Sequence, residues 1–384
     1  MHGTDLRATA ELRHEEFVGD LRTLVELESP SDDLSAVATS AEAVERLMRA
    51  RLSRARIDLL VTEGRTHVRA AWGDAQNRLL LLAHHDTVWP LGTLEWFPWQ
   101  RSDGILRGPG VFDMKFGVVQ AVHALALLEA HDPASLRGVV LLVTGDEEIG
   151  SPSSRPLIEQ EAAGCSAVLV VEASADGGAL KTERKGVSLY RLSVVGKAAH
   201  AGLEPHHGVN AVVELAQHVV PVSQLGDIEA GTTVTPTVID GGTTSNTVPE
   251  AAALTVDVRA WTTAEQQRVD RELRSLRPVH SEATLVVEGG INRPALEGRM
   301  SSDLYELCAQ ELRLAGIPVP AAERVGGASD GNFTAGLGVP TLDGLGAVGG
   351  GAHAPTEHAL ESAIDDRVTL LALLMRRILS GGSL

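Results

Sequence analysis

Apolar residues in this chain recur at helical spacing in some stretches and as unbroken runs in others. The order of the two predicts the architecture. Residues 15–28 (EEFVGDLRTLVELE) carry apolar positions at helical spacing. Ser29-Pro30 ends that helix, Ser31 to Asp33 read as the next N-cap, and a second helix follows over about 35–53. IDLLV, HVRAAW and NRLLLLAH then read as strands. GVVQAVHALALLEA is a helix, GVVLLVTGD a strand, SRPLIEQEAAG a helix and SAVLVVEAS a strand. Unbroken Val/Leu strands alternating with helices predict an α/β fold, with a mixed, mostly parallel sheet covered by helices on both faces. Ligands in such folds gather beyond the carboxyl ends of the strands.

The pattern changes near residue 181. VSLYRLSVVG is a strand, GVNAVVELAQHVVPV a helix, and TTVTPTVIDGG and AALTVDVRA are strands. TAEQQRVDRELRSL is a helix and ATLVVEGG a strand. That order, βαββαβ, is the ferredoxin-like unit. Helix–strand alternation resumes after Arg293-Pro294 with the helix SSDLYELCAQELRLAG, a short strand in PTLDGLG and a closing helix from about 359. The predicted organisation is one domain in two parts, 1–184 and 293–384, interrupted by an inserted unit over 185–292.

Composition narrows the classes of function. A length of 384 residues favours two domains over one, and 43% hydrophobic with 22% charged residues is globular. A formal net charge of −18 argues against nucleic acid and against an anionic membrane surface as partners. The two cysteines, Cys165 and Cys308, lack metal-site spacing and make a poor disulfide framework. No stretch approaches the roughly 20 apolar residues that span a bilayer. The N-terminal MHGTDLRATAELRHEE has no apolar signal region. A cytoplasmic enzyme is the simplest expectation.

The chemistry lies where the apolar runs end. His84 and Asp86 close LLLLAHHD, Asp113 sits in GPGVFDMK, Glu147 and Glu148 follow VVLLVTGD, Glu172 ends AVLVVEAS, and His353 stands in VGGGAHAPTEH. Unpaired carboxylates are costly to bury, and several converging on one place repel unless a cation holds them. Two metal ions about 3.5–4 Å apart, bridged by one carboxylate, can activate water and polarise a carbonyl. His84, Glu148, Glu172, His353 and Asp113 supply an imidazole and an acid for each ion and one acid to share. Nitrogen and oxygen ligands without thiolate suit zinc, and also cobalt or manganese. Asp86, two residues beyond His84, can accept the other imidazole N–H. Glu147 is the acid left over, a natural general base and then general acid. His85 points the other way and belongs to packing. Trp89, Trp96 and Trp99 pack a loop or line the mouth of an apolar substrate pocket, and Lys185 is structural.

Taken together, AHHDTVWP, GPGVFDMK, TGDEEIGS, VVEAS, GKAAHAG, SNTVP, DVRA and GGASD resemble, in order and over essentially the whole chain, the co-catalytic zinc carboxypeptidases and deacylases of the glutamate carboxypeptidase and acetylornithine deacetylase type. The resemblance implies two zinc ions per chain, with His84, Asp113 and Glu172 on one and Glu148, His353 and Asp113 on the other. It implies Glu147 as general base, Asp86 as the residue that orients His84, and a cis peptide at Asp113–Met114. In the inserted unit it implies His200 as donor to the oxyanion, Asn246 as a substrate or oxyanion contact, and Arg259 as partner of a substrate carboxylate. Arg324 is a further candidate for that carboxylate. His200 and Asn246 come from a neighbouring subunit in such enzymes, so a homodimer is implied, with the insertion as lid and dimerisation domain.

The expected activity is hydrolysis of the amide that joins an acyl or peptidyl group to a C-terminal amino acid. HDTVWPLGTL and ERVGGASD are most similar to the glutamate carboxypeptidase branch. The substrate is then a small peptide or an N-acyl-amino acid. The rivals are an N-acyl-amino acid deacylase of the acetylornithine or succinyl-diaminopimelate type, and a catalytically silent binding protein.

Overall fold

In the computed structural model, which describes residues 3–73 and 78–381, the chain opens with α1 (Gly3–Leu12), α2 (His14–Val25) and α3 (Leu34–Arg51). Then come β1 (Arg56–Thr62), β2 (Arg65–Ala71), β3 (Leu79–His84), α4 (Phe116–His131), β4 (Val139–Thr144), α5 (Arg155–Ala162) and β5 (Ala167–Val170). The insertion follows: β6 (Gly186–Val195), α6 (Ala211–Ser223), β7 (Thr233–Gly241), β8 (Ala251–Ala260), α7 (Thr263–Ser275) and β9 (Thr284–Arg293). The chain closes with α8 (Ser302–Ala315), α9 (Gly331–Gly336), β10 (Thr341–Leu342) and α10 (Ile364–Leu379). Two units result, one of Met1–Glu183, Gly298–Val325 and Ser329–Leu384, the other of Arg184–Glu297 with Gly326–Ala328.

The sheet of the first unit runs β1-β2-β4-β3-β5-β10. β3 is parallel to β4 and β5, and β10 is parallel to β5. β2 is antiparallel to both β1 and β4, because Glu63 and Gly64, at φ 51° and 79°, turn β1 back as a hairpin. Successive strand residues face opposite sides. Leu79, Leu81, Val139, Leu141 and Leu169 join the larger core, while Leu80, Leu82, Val140, Leu142 and Val168 join Ile158 and Phe333 on the other side. With both faces covered, nothing in these strands can be polar until they end.

Asp33 caps α3 by accepting from the N–H groups of Ser35 and Ala36. Helix α1 was not expected from its short, charged sequence; its Leu6 and Ala10 are buried in the larger core. One expectation is corrected. Val111–His131 is long and apolar enough, by length and composition, to cross a bilayer, but 94% of its most apolar stretch is buried. It is apolar all round because α4 is enclosed by protein on every side.

The second unit is an antiparallel sheet in the order β7-β8-β6-β9, the ferredoxin-like arrangement. Tyr190, Leu192, Val194, Leu254, Val256 and Val258 pack with Leu215 of α6 and Leu273 of α7. Asn210 caps α6 and Thr262 caps α7. β7 is an edge: among the described residues it pairs with β8 alone. Val238 and Ile239 on this strand, and Val212, Val213 and Val220 on α6, are exposed.

Candidate metal centre

The acids and imidazoles at the strand ends of the first unit converge. His84 is the last residue of β3, Glu147 and Glu148 lie in the turn after β4, and Glu172 lies just beyond β5. Asp113 sits in the turn leading into α4, with a cis peptide to Met114. Gly117 lets that helix approach β5: a Cβ there would lie 1.9 Å from the Val171 carbonyl oxygen. His353 adopts φ 61°, a left-handed conformation that costs a non-glycine residue about 1–3 kcal/mol and marks a constrained position.

Two triads share Asp113. His84 Nε2 lies 3.4 Å from Asp113 Oδ1 and 3.4 Å from Glu172 Oε1. His353 Nε2 lies 3.4 Å from Asp113 Oδ2 and 3.2 Å from Glu148 Oε2. Each oxygen of Asp113 therefore belongs to a different triad. Ligand atoms about 2.0–2.2 Å from a tetrahedral ion stand about 3.3–3.6 Å apart, which is the spacing found. Among the described residues His84 Nε2 and Glu148 Oε1 are buried without a hydrogen bond. The donor set and its spacing fit a divalent metal pair. Glu147 is close by: His84, Glu147 and Glu172 offer atoms within 4.8 Å of one another.

Electrostatics agree. Burial alone pushes His84 down, yet Asp113, Asp86 and Glu172 outweigh it and hold His84 well above its ordinary value. Asp113 and Glu148 push His353 up to about 10. Burial raises Glu148, and the Asp113 charge adds to it. A pocket this rich in carboxylates demands positive charge.

Asp86 does more than orient one ring. Its backbone carbonyl, 3.0 Å from His84 Nδ1, holds the imidazole more closely than its carboxylate does at 3.5 Å. The carboxylate accepts from the Ser31 hydroxyl at 2.6 Å and from the N–H groups of Glu147 and Glu148, each at 3.2 Å. It thus fixes the turn that carries Glu147 and Glu148.

Glu357 carried no sequence signal. It is fully buried, and its carboxylate accepts from Gly110, Phe112 and Asp113 N–H and from the Trp89 indole. His85 is a core histidine, between Ser40 Oγ and the Thr66 carbonyl at 3.1 Å each, and burial lowers it to about 4. Trp89 and Trp96 pack around Phe97. Lys185 lies over the Trp261 ring.

The other candidate residues lie outside these triads. Arg324 pairs with Glu183 at 3.2 Å. In the second unit His200 pairs with Thr247, and the Ala201 N–H donates to the carbonyl of Asn246, in the turn just before Thr247, at 2.9 Å, so His200 and Asn246 are neighbours. His200 Nδ1 accepts from the Gly202 and Leu203 N–H groups at 3.1 Å each. That leaves the ring proton on Nε2. Asp257 holds the Arg259 guanidinium through Nε and Nη2 at 2.9 Å.

Comparison with known proteins gives the family and the fold. The chain is similar to carboxypeptidase G2 of Pseudomonas sp. (strain RS-16), 30% identical over 376 residues, which cover 94% of this chain and 89% of that protein. Its fold is similar to an M20 family metallo-carboxypeptidase from Sulfolobus solfataricus, with a TM-score of 0.70 at 17% identity, covering 95% of this chain and 99% of the other. It is also similar to a dinuclear metal binding peptidase of the M20 family from Bacillus subtilis, with a TM-score of 0.65 at 16% identity, covering 96% and 99%. Residues 80–377 match the peptidase family M20/M25/M40, and the chain belongs to that family of hydrolases.

Proposed function

We propose that this protein is a two-zinc metallocarboxypeptidase of the glutamate carboxypeptidase kind, which hydrolyses the amide between an acyl or peptidyl group and a C-terminal amino acid. The observation that carries this is the sharing of Asp113, one oxygen to each triad. His84, Asp113 and Glu172 would hold one ion, and Glu148, His353 and Asp113 the other. When bound, the metal pair supplies Lewis-acid polarisation of the scissile carbonyl and an acidified water. Glu147 takes the proton from the attacking water and returns it to the departing amine. His200 donates from Nε2 to the oxyanion, with Asn246 beside it, and Arg259 receives the substrate carboxylate. Arg324 is the second candidate for that carboxylate. Cobalt or manganese can replace zinc at such nitrogen and oxygen ligands.

The inserted unit is assigned as lid and dimerisation domain, with His200 and Asn246 supplied to the neighbouring subunit. The uncovered β7 edge and the exposed valines of α6 support a second copy as its cover. Light scattering should give the mass of a dimer, and a single-chain mass at micromolar concentration would sink the assignment. We also place the protein in the cytoplasm, in keeping with two buried free thiols, which cell fractionation checks.

The test of function is a substrate panel on zinc-loaded protein. N-acyl-glutamates should release glutamate, and chelation should stop the reaction. Faster turnover of acetylornithine or succinyl-diaminopimelate would favour a deacylase. No turnover of any substrate with two metals bound would leave a silent binding protein.

A further inference from the structure

We infer that Glu357 is the positioning residue that sets the bridging carboxylate of Asp113 between the two metal ions. Its carboxylate is fully buried and meets four donors. Oε1 accepts from the N–H groups of Phe112 at 2.9 Å and Asp113 at 3.1 Å. Oε2 accepts from the Gly110 N–H at 3.1 Å and the Trp89 indole N–H at 2.7 Å.

The partners explain the role. Gly110, Phe112 and Asp113 belong to the turn that delivers the bridging ligand. Trp89 follows His84 and Asp86 in the segment that leaves β3, and Glu357 itself lies four residues after His353. One carboxylate therefore ties together the segments that carry His84, Asp113 and His353. The need is geometric. A bridging carboxylate must satisfy two ions at once, and such constellations tolerate about 0.5 Å of error. Asp113 has no strand beneath it to hold that tolerance. The anion of Glu357, saturated by N–H donors, supplies the rigidity, because charge-assisted hydrogen bonds are about twice as strong as neutral ones. Glu357 touches no reacting atom and acts through Asp113.

The inference rests on the proposed two-metal site, and the experiment separates the two. Chelator competition measures metal affinity in the wild type and in Glu357→Gln. The amide keeps the size of the side chain but turns two of the four N–H groups toward another donor. We expect metal affinity and kcat to fall about 10–100-fold, as for other partners of metal ligands. KM should stay within about threefold, and the metal-free melting temperature should fall by only a few degrees, since buried donors left facing a donor cost some stability. Trp89→Phe removes one donor and keeps the ring, and should weaken metal binding several-fold with unchanged metal-free stability. Unchanged metal affinity in Glu357→Gln, or in Trp89→Phe should the first variant fail to fold, overturns the role of Glu357. A wild type that binds fewer than two metals overturns the site instead.

Discussion

Glu147→Gln should leave two metals bound per chain and lower kcat by about 10²–10⁴-fold, the usual worth of a positioned general acid–base. The two outcomes are expected together because Glu147 stands beside the triads without completing either. His84 has Asp113 and Glu172 within 3.4 Å, and His353 has Asp113 and Glu148. The turn that carries residue 147 is held by Asp86 through the N–H groups of Glu147 and Glu148, and the substitution leaves these intact. The glutamine can still accept a hydrogen bond from water but cannot take its proton. Metal analysis and steady-state kinetics on one preparation decide the matter. A variant that loses a metal would make Glu147 a ligand, and one that keeps its rate would move the base elsewhere.

Asp113→Ala acts at the other end of the same chemistry. Bound metal should fall from two per chain to one or none after dialysis, and kcat/KM should fall by about 10³–10⁴-fold. Lewis-acid stabilisation of the transition state is worth several kcal/mol, and each 1.36 kcal/mol is about tenfold in rate. The alanine would remove the anion proposed to stand between the two ions, so each His–Glu pair would keep two protein ligands and face the other cation unscreened. Elemental analysis showing two tightly held metals in this variant would rule out the bridge.

Much of this site is written in the order of residues. A strand covered on both faces admits no charge, so His84, Glu148 and Glu172 announce themselves by ending apolar runs. The inserted unit is legible for a related reason: β6 and β8 alternate buried with more exposed positions over most of their length, whereas β3, β4 and β5 do not. What stayed hidden depends on contacts between distant segments. Glu357 sits in HAPTEH with nothing local to mark it, and its donors lie near residues 89 and 110–113. The stronger hold of the Asp86 carbonyl on His84, and the grip of its carboxylate on the turn at 147–148, follow from how the chain leaves β3. A residue list cannot supply that. Helix α1 escaped notice because its apolar residues are few and gain their worth from the larger core they join.

The triads also differ in when their members are made. His84, Asp113 and Glu172 all precede the insertion, so the residues proposed to hold one of the two ions are synthesised before it. The other waits for His353, which follows β6 to β9 and β10 in the chain. Domains generally form in order from the N-terminus on the ribosome. A nascent chain that has emerged only as far as β9 therefore still lacks His353 and Glu357, together with α8, α9, β10 and α10 of the same unit. The hydrolytic centre comes into being only when nearly the entire polypeptide, inserted unit included, has been delivered.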